Sequence, residues 1–313
     1  MPEGPTVKKW ATMAGQFLGR KVLRTGGNTK RVDLQILQGL YFSDIQVHGK
    51  EMFMKFASDS SEQSSVQVWL RYHFGMWGTL RVNELKTISN STLYRARYIQ
   101  DPKPRLVLSF GEEEFLAFYG CSVQQVDAPL LDNENDVLRD SFNIEKSSSF
   151  LRQEKPVCHL LLDQRQFAGV GNIVKNEALY SARLHPMQLG STLSSEKILE
   201  LVEAAGNIAK KWAKDGTPYS PLAGLNIYCK KTCPLGHKVQ REMLDHGEFT
   251  RITYWCSWCQ PLQPTAPSTE FAEQVQVTET SGEKSPKTWL SEGSSKWPVV
   301  ILKETSPGSN LYA

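Results

Sequence analysis

Two ligand pairs at fixed spacing constrain this chain more than any other feature. Cys233-x3-His237 and Cys256-x2-Cys259, with 18 residues between the pairs, have the spacing of a structural zinc site built on two knuckles. Four such ligands close a tetrahedron, so the metal would hold chain together and leave no position open for a substrate. Pro234 and Gly236 shape the first knuckle. Residues 251–255 read as a strand leading into the second, and residues 248–251 as a hairpin tip that holds Arg251 outward. Cys229 lies four residues before Cys233 and competes as a ligand. His237 is preferred, because the 233/237 pair straddles the Pro-Gly turn. His246 reads as a loop histidine.

Upstream, residues 156–186 read as two helices joined by a tight glycine turn. Pro156 suits a first helical position, and Val157, Leu160 and Leu161 follow at helical spacing. Gly169-Val170-Gly171 breaks the run. Asn172 then caps a second helix that continues to about Arg183. A capped helix start beside glycine amides offers N–H groups and positive dipole to a phosphate, with Arg165 and Lys175 adding charge. A plain helical hairpin ending in a glycine cap reads the same way. Beyond it, Ser194 caps a long helix with Ile198, Leu201, Val202, Ala205 and Trp212 on its apolar side.

At the other end, Met1-Pro2-Glu3-Gly4-Pro5 runs directly into a helix capped by Thr6, with Val7, Trp10, Ala14 and Phe17 on one face. A small residue after Met1 favours removal of the initiator, which would leave a secondary amine at Pro2. Alpha-amino groups titrate near ~7.7–8.0, so an appreciable fraction is nucleophilic at neutral pH. Read alone, Pro2 and Glu3 serve equally well as a simple helix start.

From Leu40 the period changes to two. Met52, Met54 and Phe56 alternate with Phe53 and Lys55, and Val66, Val68, Leu70, Tyr72 and Phe74 with their polar neighbours. Residues 105–110 and 115–119 flank a hairpin tip at Gly111-Glu112-Glu113-Glu114. Several such strands predict an antiparallel sandwich. Residues 57–65 and 86–98 read as loops, and residues 129–153, rich in Asn, Ser and Glu, as a linker. Lys50 sits at a glycine turn, Val47-His48-Gly49-Lys50, where a lone lysine reads as solvated surface.

Composition bounds the function classes. The 313 residues hold 40% apolar and 10% aromatic residues, enough for two domains with a core. Six cysteines are too few for a disulfide scaffold, and no apolar run approaches the ~18 residues of a membrane span. Lys8 and Lys9 interrupt any signal-peptide h-region, so a reducing compartment is expected and the Asn90-Ser91-Thr92 sequon silent. The segment from Leu262 holds four basic and six acidic residues, leaving 32 basic against 27 acidic before it. That surplus suits a nucleic-acid partner. The final segment itself reads as disordered.

Together these pieces resemble the formamidopyrimidine/endonuclease VIII-type DNA glycosylases. The matching residues are the MPEGP start, the VHGK turn, LLDQRQFAGVGNIVKNEALY, and the Cys-His-Cys-Cys finger with Arg251 before its second pair. They span residues 1 to about 260, and the Cys-His first knuckle sits with the Nei-like members. The resemblance implies an α+β fold: an N-terminal β-sandwich domain over 1–145, a helix–two-turn–helix domain over 150–222, a zinc finger over 223–261 and a disordered tail over 262–313. It implies a bifunctional glycosylase and abasic-site lyase of base excision repair, acting on oxidised bases, chiefly pyrimidines, by β,δ-elimination. Pro2 would be the nucleophile, Glu3 the general acid on the sugar ring, and Lys50 the aid to proton transfer. Asn172, Gly171 and Arg251 would hold flanking phosphates, with Arg251 also linked to δ-elimination, and Met76 would fill the void left by an extruded base. Zinc would be structural. Implied partners are damaged or abasic DNA and other repair proteins, with a monomeric protein of the nucleus or also the cytoplasm and no membrane. The family's Arg-Arg-Phe wedge falls at Tyr119-Gly120-Cys121 and is absent. The competing class is a zinc-finger module that binds damaged DNA without chemistry.

Overall fold

The period-two stretches fold into two four-stranded antiparallel sheets packed face to face. In this computed structural model, which describes residues 2–59, 66–87, 102–217, 224–245 and 250–263, the first sheet has the order β2-β3-β4-β8. These strands are β2 (Tyr41–His48), β3 (Glu51–Ala57), β4 (Gln67–His73) and β8 (Ser122–Val126). The second sheet, β1-β6-β7-β5, holds β1 (Arg24–Gly26), β5 (Thr79–Val82), β6 (Leu106–Ser109) and β7 (Phe115–Tyr119). Side chains alternate across each strand, so Met52, Met54, Phe56, Val68, Leu70 and Tyr72 share one interior with Leu106, Leu108, Leu116 and Phe118 from the other sheet. Val66, expected in β4, stands outside it and is exposed. Most of the segments read as loops at 57–65 and 86–98 lies outside the described residues, as does the tail beyond 263.

Helix α1 (Gly4–Ala14) closes one end of this sandwich. Its Val7, Trp10 and Ala14 are buried, and the Trp10 ring lies 4.7 Å from that of Phe74. Burying one such side chain contributes about 1.5–3 kcal/mol. Spacing predicts Thr6 as the cap, but the helix begins three residues earlier with Glu3 in the cap position. Pro5 permits this, because the first turn has no use for its missing N–H.

Residues 129–153 read as a linker from their polarity, yet Asn135 and Asp136 are buried and α2 (Ile144–Phe150) forms there, capped by the Asn143 side chain. Short polar side chains that bond neighbouring amides look from composition like solvated chain. The helical region continues with α3 (Val157–Leu160), α4 (Asn172–Ser181) and α5 (Ser195–Asp215). Pro156 stands at the cap of α3 rather than inside it, and α3 is a single turn. Helix α4 ends at Ser181, with Arg183 in a left-handed conformation at φ 56°. Helix α5 starts as predicted, the Ser194 side chain accepting from the Lys197 N–H. Last, β9 (Gln240–Asp245) and β10 (Thr250–Trp255) pair antiparallel, and Arg251 lies within β10.

Candidate active site and metal centre

Three distant segments meet at backbone contact around the N-terminus. The Gly4 N–H donates to the Gly169 carbonyl at 2.9 Å. A Cβ on Gly4 would lie 2.8 Å from Gly169 Cα, and one on Gly49 would lie 2.8 Å from Gly169 N. Gly49 also has φ +54°, which fits the two-residue turn between β2 and β3 and disfavours any side chain. So α1, the turn carrying Lys50 and the turn before α4 approach as closely as backbone allows. Asp136 secures the middle member: its carboxylate accepts from the Gly49 and Leu138 N–H groups, each at 3.0 Å. Nothing in the local sequence marks Asp136 for this duty.

Glu3 joins the first segment to the third. Its side chain is fully buried, and its carboxylate accepts from Gly171 N at 3.0 Å, Ile173 N at 2.6 Å and Val174 N at 3.2 Å. The N-cap of α4 is therefore Gly171 in backbone and Glu3 in side chain, where the sequence predicts Asn172. The amides expected to greet a phosphate are already taken by a carboxylate that the positive helix end favours. Space is tight: a Cβ on Gly171 would fall 2.3 Å from Glu3 Cδ. Burial pushes the Glu3 carboxyl up in pKa, opposed by Lys50 and by the Ile173 and Val174 N–H groups.

Beside this junction, Pro2, Lys50, Met76, Gly171 and Arg251 line one cavity of about 230 Å³, with His73 and Gln164. Glu3, fully buried, is not among the lining residues but is bonded to Gly171, which is. Lys50 is half-buried, contrary to the solvated-surface reading, and its pKa falls to about 8. Burial lowers it most, Glu3 opposes and Arg251 adds to the lowering. A larger cavity of about 610 Å³ shares Lys50, His73 and Gln164 and runs on past His48, Asn135 and Arg165. Sequence alone gives His73 no role; its place at the end of β4, three residues before Met76, is the signal that points to it.

The charges expected beside the glycine turn separate. Arg165 faces solvent and pairs with Asp163 at 2.8 Å, whereas Lys175 is fully buried. Lys175 belongs instead to a polar seam between α4 and β10. Asn172 Nδ2 donates to the Ile252 carbonyl at 2.8 Å, Lys175 Nζ to Thr253 Oγ1 at 2.8 Å, and Tyr254 N to Asn176 Oδ1 at 3.1 Å. Positions i, i+3 and i+4 of one helix thus bind three successive residues of the strand that bears Arg251. Burial lowers the Lys175 ammonium to about 8.

At the far end of β10, the ligand atoms of Cys233, His237, Cys256 and Cys259 all lie within 4.8 Å of one another. Cys233 Sγ is 3.8 Å from His237 Nδ1 and 3.9 Å from Cys259 Sγ, which is 3.4 Å from the same nitrogen. Bonds of the lengths usual for a tetrahedral ion with thiolate and imidazole ligands give edges of about 3.5–3.8 Å, so the group fits and can hold a metal ion. The knuckle bonds Gly236 N to Cys233 O and Cys233 N to His237 O, both at 2.9 Å, with Gly236 at φ +82°. Cys229 is exposed and points its thiol at the Tyr254 hydroxyl, 3.4 Å away, outside the group. The group that closes includes His237 and leaves Cys229 out.

Comparison with known proteins follows the same lines. Residues 134–218 match the formamidopyrimidine-DNA glycosylase H2TH domain. Endonuclease 8-like 2 of Mus musculus is 33% identical, over 82% of this chain and 94% of its own length. Among solved structures, the MutM (Fpg) protein of Thermus thermophilus shares the fold with a TM-score of 0.64 at 22% identity, covering 84% of this chain and 100% of its own. A mutant Fpg of Lactococcus lactis, solved with a Fapy-dG containing DNA, gives 0.65 at 21% identity, over 83% of this chain and 100% of that one. On identity and coverage together, this chain belongs to the formamidopyrimidine/endonuclease VIII-type family of DNA glycosylases, with endonuclease 8-like 2 proteins among its relatives.

Proposed function

We propose that this protein is a DNA glycosylase and abasic-site lyase of base excision repair, acting on oxidised bases, chiefly pyrimidines, and cleaving by β,δ-elimination. The observation that carries the reading is the shared cavity: Pro2, Lys50, Met76 and Arg251 come from four separate stretches of chain and line one wall system.

With Met1 removed, the Pro2 amine attacks C1′ of a nucleotide drawn from the stack. The N–C1′ bond forms as the bond from C1′ to the base breaks, and the base leaves with that electron pair and takes up a proton. Glu3, whose buried carboxyl holds protons more readily than usual, supplies the proton for the opening sugar ring. Ring opening leaves an iminium between Pro2 and C1′. Lys50, with a pKa near 8, is partly neutral at neutral pH and accepts the C2′ proton, so that the C3′–O bond breaks and the 3′ phosphate departs. A second proton loss breaks the C5′–O bond, with Arg251 meeting the phosphate charge. Arg251 also holds the backbone electrostatically, and Asn172, a neutral amide, contributes through hydrogen bonds and not through charge.

The Cys233, His237, Cys256 and Cys259 group holds zinc in a structural role, since four protein ligands leave no open position. Damaged DNA is the partner this chemistry requires, with other repair proteins as further partners. The protein acts as a monomer in the nucleus, with catalysis in residues 1–145 and DNA gripped by 150–222 and 223–261.

Borohydride reduction in the presence of an abasic duplex tests the reading. A covalent protein–DNA complex is expected. Binding without any trapped complex would leave a non-catalytic binding module instead.

A further inference from the structure

The last turn of α4 is closed by two backbone bonds. The Leu184 N–H donates to the Leu179 carbonyl at 2.9 Å, and the Arg183 N–H to the Tyr180 carbonyl at 3.1 Å. This pattern puts the residue just past the helix cap in the left-handed region, and here that residue is Arg183, at φ 56°. Glycine suits such a place, because a side chain there crowds its own backbone. Asparagine is the next best, and Asn83 holds a similar conformation elsewhere in the chain. Arginine has neither advantage. A strained non-glycine backbone points to a use for its side chain.

The side chain of Arg183 folds back over Tyr180, its guanidinium carbon 4.9 Å from the ring centroid. Tyr180 is 5% exposed and packs in one cluster with Cys233, Tyr254 and Cys256. Its hydroxyl donates to the Cys233 sulfur, and the guanidinium donates to the Tyr180 oxygen and to the Cys259 sulfur. The end of α4 therefore reaches two ligand atoms, one from each knuckle. Three thiolates and a neutral imidazole on a divalent ion leave a net charge of about −1. Groups that hydrogen-bond the ligand atoms orient them and set how tightly they hold metal. A planar guanidinium can lie on an aromatic face and donate to sulfur at once, which a compact ammonium cannot.

We propose that Arg183 is the counter-ion of the metal group, held flat on Tyr180 so that its guanidinium meets the Cys259 thiolate while the Tyr180 hydroxyl meets that of Cys233. Arg183 is a positioning residue here, touching ligands and not the ion. The proposal rests on the zinc reading of the group and extends it to a residue outside the finger. Helix α4 then serves both centres: its first turn is capped by Glu3, and its end balances the charge of the finger.

The test follows zinc leaving the full-length protein for excess 4-(2-pyridylazo)resorcinol at neutral pH, read by absorbance. Glycine suits the left-handed backbone better than arginine does. A purely structural Arg183 therefore predicts an Arg183→Gly protein at least as stable that releases zinc no faster. The counter-ion account expects Arg183→Gly to release zinc about tenfold faster, with the thermal transition of the protein not lowered. Arg183→Lys keeps the charge without the planar fork and should recover part of the difference. Arg183 is exposed, so the gap between wild type and Arg183→Gly should narrow at about 1 M salt, which screens charge over about 3 Å and leaves packing intact. Release at the wild-type rate by Arg183→Gly would overturn the assignment. So would an Arg183→Lys protein no slower than Arg183→Gly, or a gap indifferent to salt. Wild-type protein found by elemental analysis to carry no zinc would overturn the zinc reading, and the counter-ion with it.

Discussion

The site around Pro2 and the group around Cys233 are assembled by different physical means. The first brings residues 2–4, 49–50 and 169–171 together through backbone approach, glycine by glycine, with Glu3 reaching a helix 168 positions away. The second gathers four side chains from one short segment onto a point. A backbone junction fails when something is added to it, because no space remains for a methyl group. A ligand cluster fails when something is removed, because each ligand is a quarter of the coordination shell. Strand β10 connects the two, fastened to α4 by the Asn172, Lys175 and Asn176 seam at one end and feeding Cys256 at the other.

Removing a ligand gives the largest expected effect. Cys256→Ser should take bound zinc from one per chain to none and unfold residues 224–263, since structural zinc contributes on the order of 10–16 kcal/mol of local folding energy. The sandwich should keep its thermal transition, as followed by near-ultraviolet circular dichroism with elemental analysis alongside. Loss of the sandwich signal as well would show the two regions to be one cooperative unit.

Adding a methyl to the junction comes next. Gly171→Ala drives a Cβ into Glu3, so the cap must open, at a cost of about 2–4 kcal/mol from lost capping and unpaired buried amides. Trapping on abasic DNA should fall by about a hundredfold or more while zinc content stays at one per chain. A Gly171→Ala protein with normal trapping would contradict the backbone-contact account of the site.

Lys175 sharpens the comparison at the seam. Its folded pKa of about 8 lies below the ordinary 10.5, so its contribution to stability is present above pH 10.5 and is lost as pH falls through 8. Below pH 8 the protein therefore carries a buried charge. Lys175→Met should raise stability at pH 7 by about 2 kcal/mol, the relief of burial less one hydrogen bond to Thr253. That gain should shrink between pH 8 and 10.5, as chemical denaturation across pH would reveal. A less stable variant at pH 7 would mean that the seam holds the ammonium better than its burial disfavours it.

The smallest effect concerns Arg251. Its Ala variant should weaken DNA binding on every sequence alike and reduce the salt slope, d log K against d log salt, by about 1, because a phosphate contact carries charge and no base readout. An unchanged slope with altered lesion preference would place Arg251 against a base.

Much of this was legible from the residues. Alternation at Met52–Met54–Phe56 forecast the sandwich face, and the ligand spacing forecast the metal group. The misses share a cause. Glu3 as the cap of α4, Asp136 as the anchor of the Gly49 turn and Lys175 as a buried seam residue are each defined by a partner distant in sequence. Local propensity sees only neighbours, and so names Asn172 as the cap and residues 129–153 as a linker. Short strands such as β1 and β5 escaped for a related reason: three or four residues hold too few alternations to register a period.

The central claim is that the amine of Pro2 is the nucleophile in the shared cavity. Borohydride trapping of the Met1-free protein on an abasic duplex, followed by digestion and mass spectrometric mapping of the DNA-linked peptide, tests it directly. The adduct should sit on the N-terminal peptide at Pro2, and protein that keeps Met1 should yield none. An adduct mapped to Lys50, or trapping undiminished in the protein that keeps Met1, would contradict the account.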